Sequence, residues 1–142
     1  MEAYTFFAGV YDSFMDTIPY GEWADKIEKI LREKGLRGRD ILELGCGTGM
    51  ISALMCDRGH RVKGTDISPY MLKEAEKKRT KYAGRLVFSQ MDMRAICEKR
   101  KYSIILSLCD SVNYMENLFD LESVFDGAKR HLNKDGLFIF DL

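Results

Sequence analysis

The sequence of 142 residues predicts an α/β domain, a doubly wound sheet of about five parallel strands with helices on both faces. Three observations predict it. Short apolar runs alternate with amphipathic segments along the chain. The first complete unit, Ile41-Leu42-Glu43-Leu44, breaks into the alternate glycines Gly45, Gly47 and Gly49 before an amphipathic segment, which reads as strand, tight turn and helix. Polar residues then follow each apolar run, and right-handed crossovers bring every such strand end to one edge of the sheet.

Taken in order, residues 1–21 are aromatic without a clean period: Tyr4, Phe6, Phe7, Tyr11, Phe14 and Tyr20 stand among Asp12, Asp16 and Pro19. Two readings stay open, core packing by an N-terminal arm and closure of Tyr4, Tyr11 and Tyr20 over a bound small molecule. Residues 22–34 carry Trp23, Ile27, Ile30 and Leu31 at helical spacing, with Gly35 as the stop signal. Asp40–Leu44 is a short buried strand, and residues 50–58 form a helix through Ile51, Leu54 and Met55 that stops at Gly59. Residues 61–65 form the second strand, which ends in Asp66. Ser68 and Pro69 are N-cap and first helical residue of a segment running through Met71, Leu72 and Ala75 into Lys77-Lys78-Arg79.

Leu86-Val87-Phe88 is the third strand, ending near Asp92, and a short helix is expected over residues 94–99. Residues 102–108 form the longest apolar strand, followed by the polar loop 109–114. Leu118, Leu121, Val124, Phe125, Ala128 and Leu132 mark a helix. Asn133-Lys134-Asp135-Gly136 reads as a turn, and residues 137–142 as the fifth strand. The chain divides into an aromatic arm with its helix (1–39) and a core (40–142), within one structural domain. His60 and His131 are expected in surface turns, with no partner that argues for catalysis.

Composition narrows the function. Lys and Arg number 22, Asp and Glu 22, so no strong field favours nucleic acid or an anionic membrane. No apolar run approaches the roughly 18–20 residues of a membrane span, and no basic-then-apolar signal pattern opens the chain, so a cytoplasmic address is expected. Cys46, Cys56, Cys97 and Cys109 lack C-x-x-C or metal-ligand spacing and are read as reduced, without a metal; Cys46 and Cys109 stand beside the glycine turn, either lining the site or filling a crowded bend.

The ligand of the glycine turn is narrowed by exclusion. No Lys-Ser or Lys-Thr follows the glycines, which removes a P-loop. Against the dinucleotide spacing G-x-G-x-x-G/A, Gly45 leads to the bulky Met50, and Gly47 leads to Ser52 as a weak match. Asp66, about 20 residues past the glycines at the next strand end, can accept hydrogen bonds from ribose hydroxyls of any adenosine cofactor. Asp92 ends the third strand, within reach of an adenine amino group. The joint placement of the two acids at strand ends weighs against their being helix-entry caps alone.

Glu43-Leu-Gly-Cys-Gly-Thr-Gly with Asp66-Ile67-Ser68 and Asp92-Met93 resembles the class I S-adenosylmethionine-dependent methyltransferases, over nearly the whole chain. The opening from Phe7 to Met15, with Ile18-Pro19-Tyr20 and Trp23, is similar to a bacterial subgroup of that family acting on small molecules. The resemblance implies a Rossmann-like fold, S-adenosyl-L-methionine as cofactor and S-adenosyl-L-homocysteine as product. It implies that Gly45, Gly47 and Gly49, with Cys46 and Thr48, let the backbone pass along the methionine portion, and that Glu43 holds the turn. It assigns Asp66 to the ribose, Ile67 to the adenine face, and Asp92 and Met93 to the adenine edge. Tyr4, Tyr20, Met71 and Cys109 join the cofactor set. Tyr11, Asp110, Asn113 and Tyr114 are the acceptor-side candidates; turn chemistry alone also accounts for Asn113 and Tyr114. No residue declares itself as a general base.

Family members carry two strands beyond the fifth, which are absent here, so the sequence is read as an N-terminal portion of a longer protein. That leaves residues 137–141 as an apolar sheet edge and predicts a homodimer through it. Methyl transfer to an unidentified small molecule is the expected function. A non-catalytic nucleoside-binding or regulatory module is the alternative, and an NAD(P)-dependent reductase a weaker one.

Overall fold

The computed structural model describes residues 19–36, 39–108 and 115–141. Its elements are α1 (Tyr20–Glu33), β1 (Asp40–Leu44), α2 (Met50–Asp57), β2 (Arg61–Asp66), α3 (Pro69–Arg79), β3 (Leu86–Gln90), β4 (Tyr102–Ser107), α4 (Leu118–His131) and β5 (Leu132–Phe140). Two short 3-10 turns, Thr80–Tyr82 and Met93–Ala95, are the remaining elements among the described residues. The five strands form one sheet in the order β3-β2-β1-β4-β5, with every pair parallel. The chain winds outward from β1 to β3, then crosses to β4 and β5 on the other side. The strand order therefore reverses at β1 and β4, where crevices form in such sheets.

Strand alternation divides the core into two layers. Ile41, Val62, Leu86, Ile104 and Leu106 pack with Ala24, Ile27 and Leu31 of α1 and Ile51 and Met55 of α2. Leu42, Leu44 and Ile105 pack with Val124 and Ala128 of α4 and with Ile96 on the opposite face. The helix ends follow from local chemistry. Gly35, at φ +73°, ends α1 while the Leu36 amide donates to Leu31 O at 2.8 Å. Ser68 Oγ accepts from the Met71 amide at 3.3 Å to start α3, and Asn117 Oδ1 accepts from the Asp120 amide at 2.9 Å to start α4.

Three expectations are corrected by tertiary contacts. Of residues 94–99 only Arg94 and Ala95 are helical, in the 3-10 turn Met93–Ala95. After the 3-10 turn the chain crosses the sheet face, where Ile96 is buried against Gly127 of α4. Glu98 is fixed there by Lys63 Nζ at 3.0 Å and Tyr102 Oη at 2.7 Å, partners that outweigh a weak local helix preference. The Asn133–Gly136 turn signal lies inside β5. Tyr102 pairs with Leu132 and Ile104 with Leu137, so residues 133–136 bulge out, with Asp135 at φ +68°. The histidines are bridges rather than surface-turn residues. His60, 1% exposed, accepts the Arg39 amide at Nδ1 (3.1 Å), which leaves its Nε2–H to donate to Glu28 of α1. His131 accepts the Glu98 amide at Nε2 (3.2 Å) and donates from Nδ1 to Gly127 O at 2.7 Å.

β5 lies at the sheet edge. Its apolar residues 137–139 are half-buried and Phe140 is exposed; Phe138 and Phe140 meet Phe125 of α4 edge to face, with ring centroids 5.6 and 5.1 Å away.

Candidate functional site

The site is built where β1 and β2 end. The turn after β1 continues the ladder for one more bond, the Cys46 amide donating to Thr65 O at 2.8 Å. It then folds back, with the Gly49 amide on Cys46 O at 2.9 Å. Gly45, Gly47 and Gly49 have φ of +62°, +56° and +81°, a region that side chains with a Cβ resist. Three left-handed residues in five give a loop that L-residues with side chains would not hold.

Asp66 joins that loop to the start of α3. Its Oδ2 accepts the Gly47 amide at 2.8 Å and its Oδ1 the Ser68 amide at 2.9 Å. One carboxylate thus sets the spacing between the turn and the helix that carries Ile67 and Ser68 at its entry. Asp66 is 6% exposed, and burial raises its pKa, while the amide hydrogen bonds from Ser68 and Gly47 oppose that rise.

Glu43 lies beneath the turn, 3% exposed. Its Oε1 accepts from Ser52 Oγ of α2 at 2.5 Å, and its backbone carbonyl accepts from Thr65 Oγ1 at 3.0 Å. Loss of hydration pushes the Glu43 carboxyl up to about 8, with the neighbouring Asp66 adding to the rise and the Ser52 hydroxyl working against it. Burial and the same two acids raise the Cys46 thiol, so this cysteine is a buried neutral group in a packed bend. Cys46, Cys56 and Cys97 are free thiols, and no group of metal-binding side chains occurs among the described residues.

Phe88 of β3 forms the floor. Its ring lies where a Cβ on Gly49 or on Gly64 would stand, 2.6 Å from its nearest atom in each case. Lys78 of α3 reaches the turn from the side, its Nζ donating to Thr48 O at 2.8 Å.

The structure therefore brings together Glu43, Gly45, Cys46, Gly47, Thr48, Gly49, Asp66 and Ile67 from the expected set. Asp92 ends β3 on the same edge but is engaged differently: it caps the Arg94 amide at 2.9 Å, and the Arg94 guanidinium forks onto its carboxylate at 2.6–3.1 Å. This pairing holds Asp92 below the usual carboxylate range. Met93, half-buried, opens the 3-10 turn beside it. Met71 and Tyr20, also of the expected cofactor set, are buried, Met71 on the inner face of α3 and Tyr20 in the core layer of α1. Tyr4, Tyr11, Cys109, Asp110, Asn113 and Tyr114 lie outside the described residues. Sequence reading missed Ser52, Phe88, Gly64 and Lys78 as supports of the turn. Nothing in their local sequence marks them, because each reaches the turn from another element.

A family model for a methyltransferase domain matches residues 41–136. The chain belongs to the S-adenosylmethionine-dependent methyltransferase family. It is 37% identical over 140 residues to YqeM of Bacillus subtilis (strain 168), covering 98% of this chain and 55% of that protein. The crystal structure of an S-adenosylmethionine-dependent methyltransferase from Clostridium acetobutylicum ATCC 824 superposes with a TM-score of 0.86 at 32% identity, over 99% of this chain and 57% of that one. The sugar N-methyltransferase KedS8 from Streptoalloteichus sp ATCC 53650 is similar at 26% identity and a TM-score of 0.83, over 93% of this chain and 53% of its own. The chain thus spans little more than half the length of the relatives it matches. No helix among the described residues is long and apolar enough to cross a membrane.

Proposed function

We propose that this chain forms the cofactor-binding part of a methyltransferase whose acceptor is a small molecule, and that the turn 45–49 with Asp66 is where S-adenosylmethionine binds. The observation that carries the reading is Asp66. A buried carboxylate at the end of β2, held by the Gly47 and Ser68 amides, is anchored firmly enough to accept ribose hydroxyls without reorganising. The donor set fits the cofactor: bare backbone at the glycines for the methionine portion, Asp66 for the ribose and half-buried Ile67 for the adenine face. Glu43, neutral near pH 7, supports the turn from below through Ser52. When bound, S-adenosylmethionine supplies a methyl group already activated on a sulfonium, so the protein's work is positioning and exclusion of water. Met93 and Asp92, with Arg94, form the wall beyond β3. The acceptor side falls to Tyr11, Asp110, Asn113 and Tyr114. The name of KedS8 supports a small, functionalised acceptor such as an amino sugar.

Calorimetric titration with S-adenosylhomocysteine and with NADH tests the cofactor. Binding of the first alone is expected, and no binding at millimolar concentration would sink the reading. Asp66→Ala should weaken S-adenosylhomocysteine binding by about 1–3 kcal/mol, the value of hydrogen bonds to a charged group. Unchanged affinity would reduce Asp66 to a cap for the turn and for α3. Methyl transfer from the labelled cofactor to a panel including amino sugars tests the acceptor class.

Free buried thiols at Cys46 and Cys56 suit a reducing, cytoplasmic compartment. The edge position of β5, with Phe140 exposed, supports pairing between two chains through that strand. Light scattering at high concentration should then show a dimer, and a strict monomer would exclude it.

A further inference from the structure

The sequence Lys77-Lys78-Arg79 looks like an ordinary basic helix end, yet its three members do different things. Lys77 pairs with Glu74 at 2.9 Å and Arg79 with Glu76 at 2.9 Å, both exposed pairs within α3. Lys78 leaves the helix and donates from Nζ to Thr48 O, 30 residues earlier, at 2.8 Å. Helical spacing explains the difference. Met71, Ala75 and Lys78 share one face of α3. Met71 and Ala75 are buried on that face, and Ala75 Cβ lies 3.3 Å from where a Cβ on Gly49 would stand. The face that α3 turns toward the glycine turn therefore ends in an ammonium group.

That group acts on one peptide unit. The Thr48–Gly49 peptide has its oxygen on Lys78 Nζ and its N–H on Cys46 O at 2.9 Å. Gly47 and Gly49 on either side of Thr48 have φ of +56° and +81°. Rotation of a peptide plane beside glycine meets little steric resistance, so the two hydrogen bonds must hold its orientation. Loss of the oxygen's cationic partner would let the plane rotate and turn a carbonyl toward the space the glycines keep clear.

We propose that Lys78 is a positioning residue for the cofactor turn: by holding the Thr48 carbonyl against α3 it keeps the Thr48–Gly49 peptide in the orientation that admits the methionine portion of S-adenosylmethionine. This rests on the cofactor reading above. Lys78 touches the turn and acts on the ligand through it. Asp66 ties the entry of α3 to Gly47, and Lys78 ties its last turn to Thr48, so α3 braces the loop at two points.

The test uses Lys78→Met, Lys78→Gln and Lys78→Arg in the whole chain, with two measurements. Amide hydrogen exchange without ligand should be faster at Gly49 in the Met and Gln variants, with melting temperature little changed, and near wild type in the Arg variant, whose guanidinium can donate to the same carbonyl. The dissociation constant for S-adenosylhomocysteine should rise about tenfold in the Met and Gln variants and return in the Arg variant. Unchanged exchange at Gly49, or unchanged affinity beside a wild type that binds, overturns the role. Wild type that fails to bind S-adenosylhomocysteine overturns the cofactor reading instead. Exchange at Gly49 then decides the lysine alone: faster exchange upholds its grip on the turn, and equal exchange removes it.

Discussion

Gly49→Ala is expected to lower the free energy of unfolding by about 2–5 kcal/mol, the sum of a left-handed backbone cost and overpacking. Gly49 has φ +81°, and an added Cβ would stand 2.6 Å from Phe88 Cζ, 2.9 Å from Phe88 Cε1 and 3.3 Å from Ala75 Cβ. The same ring also fills the space over Gly64 of β2, where a Cβ would meet it at 2.6 and 2.7 Å. Phe88 is thus wedged between two glycines on different elements. Gly64→Ala should show the packing cost without the backbone cost. A Phe88→Leu background should recover the packing part for both substitutions and leave the backbone part of Gly49→Ala in place, a coupling that a double-mutant cycle by urea denaturation measures. Gly49→Ala within about 0.5 kcal/mol of wild type, the spread of ordinary surface substitutions, would show that the ring is free to move.

The second large effect concerns pH. Glu43 ordinarily titrates near 4.5 and is pushed up to about 8 in the fold. In the unfolded chain the group loses its proton near 4.5, whereas in the folded chain it keeps it until about 8. Between those values the folded state binds the extra proton, and its stability falls as pH rises. Asp66 is raised by burial as well and acts in the same direction. Glu43→Gln keeps the shape and a neutral amide beside Ser52 while removing the titration. Denaturation curves collected between pH 5 and 9 should show wild type losing on the order of a few kcal/mol relative to the variant across this interval, with Glu43→Gln the more stable protein at the alkaline end. Parallel profiles would mean that water reaches Glu43 and that the carboxylate is ionised throughout.

The carboxylates of the site illustrate what residue type and order reveal. Glu43 stands one residue before the end of β1, Asp66 ends β2 and Asp92 follows β3, and parallel topology puts them toward one edge. Their different states are set by what packs on them. Glu43 is dehydrated under α2, Asp66 is bonded by two amides, and Asp92 is neutralised by an Arg94 that stands two residues away in sequence. The expected adenine contact of Asp92 has to share that carboxylate with the guanidinium.

By itself the sequence determined the strand–turn–helix unit, the glycine loop and the acid after β2, because each depends on local preference: apolar runs for strands, glycine for positive φ, Ser-Pro for helix entry. It also carried the family. Only the tertiary structure decided that the chain leaves the 3-10 turn Met93–Ala95 as irregular, non-helical backbone, that the Asn133–Gly136 signal is a bulge inside β5, and that His60 and His131 are bridges between elements. In each case a deciding partner comes from a distant element: Lys63 for Glu98, β4 for the bulge, Glu28 and Arg39 for His60. The turn shows the same division. Its glycines are visible in the chain, whereas Ser52, Phe88 and Lys78, which hold it in shape, become its neighbours only when α2, β3 and α3 pack around it.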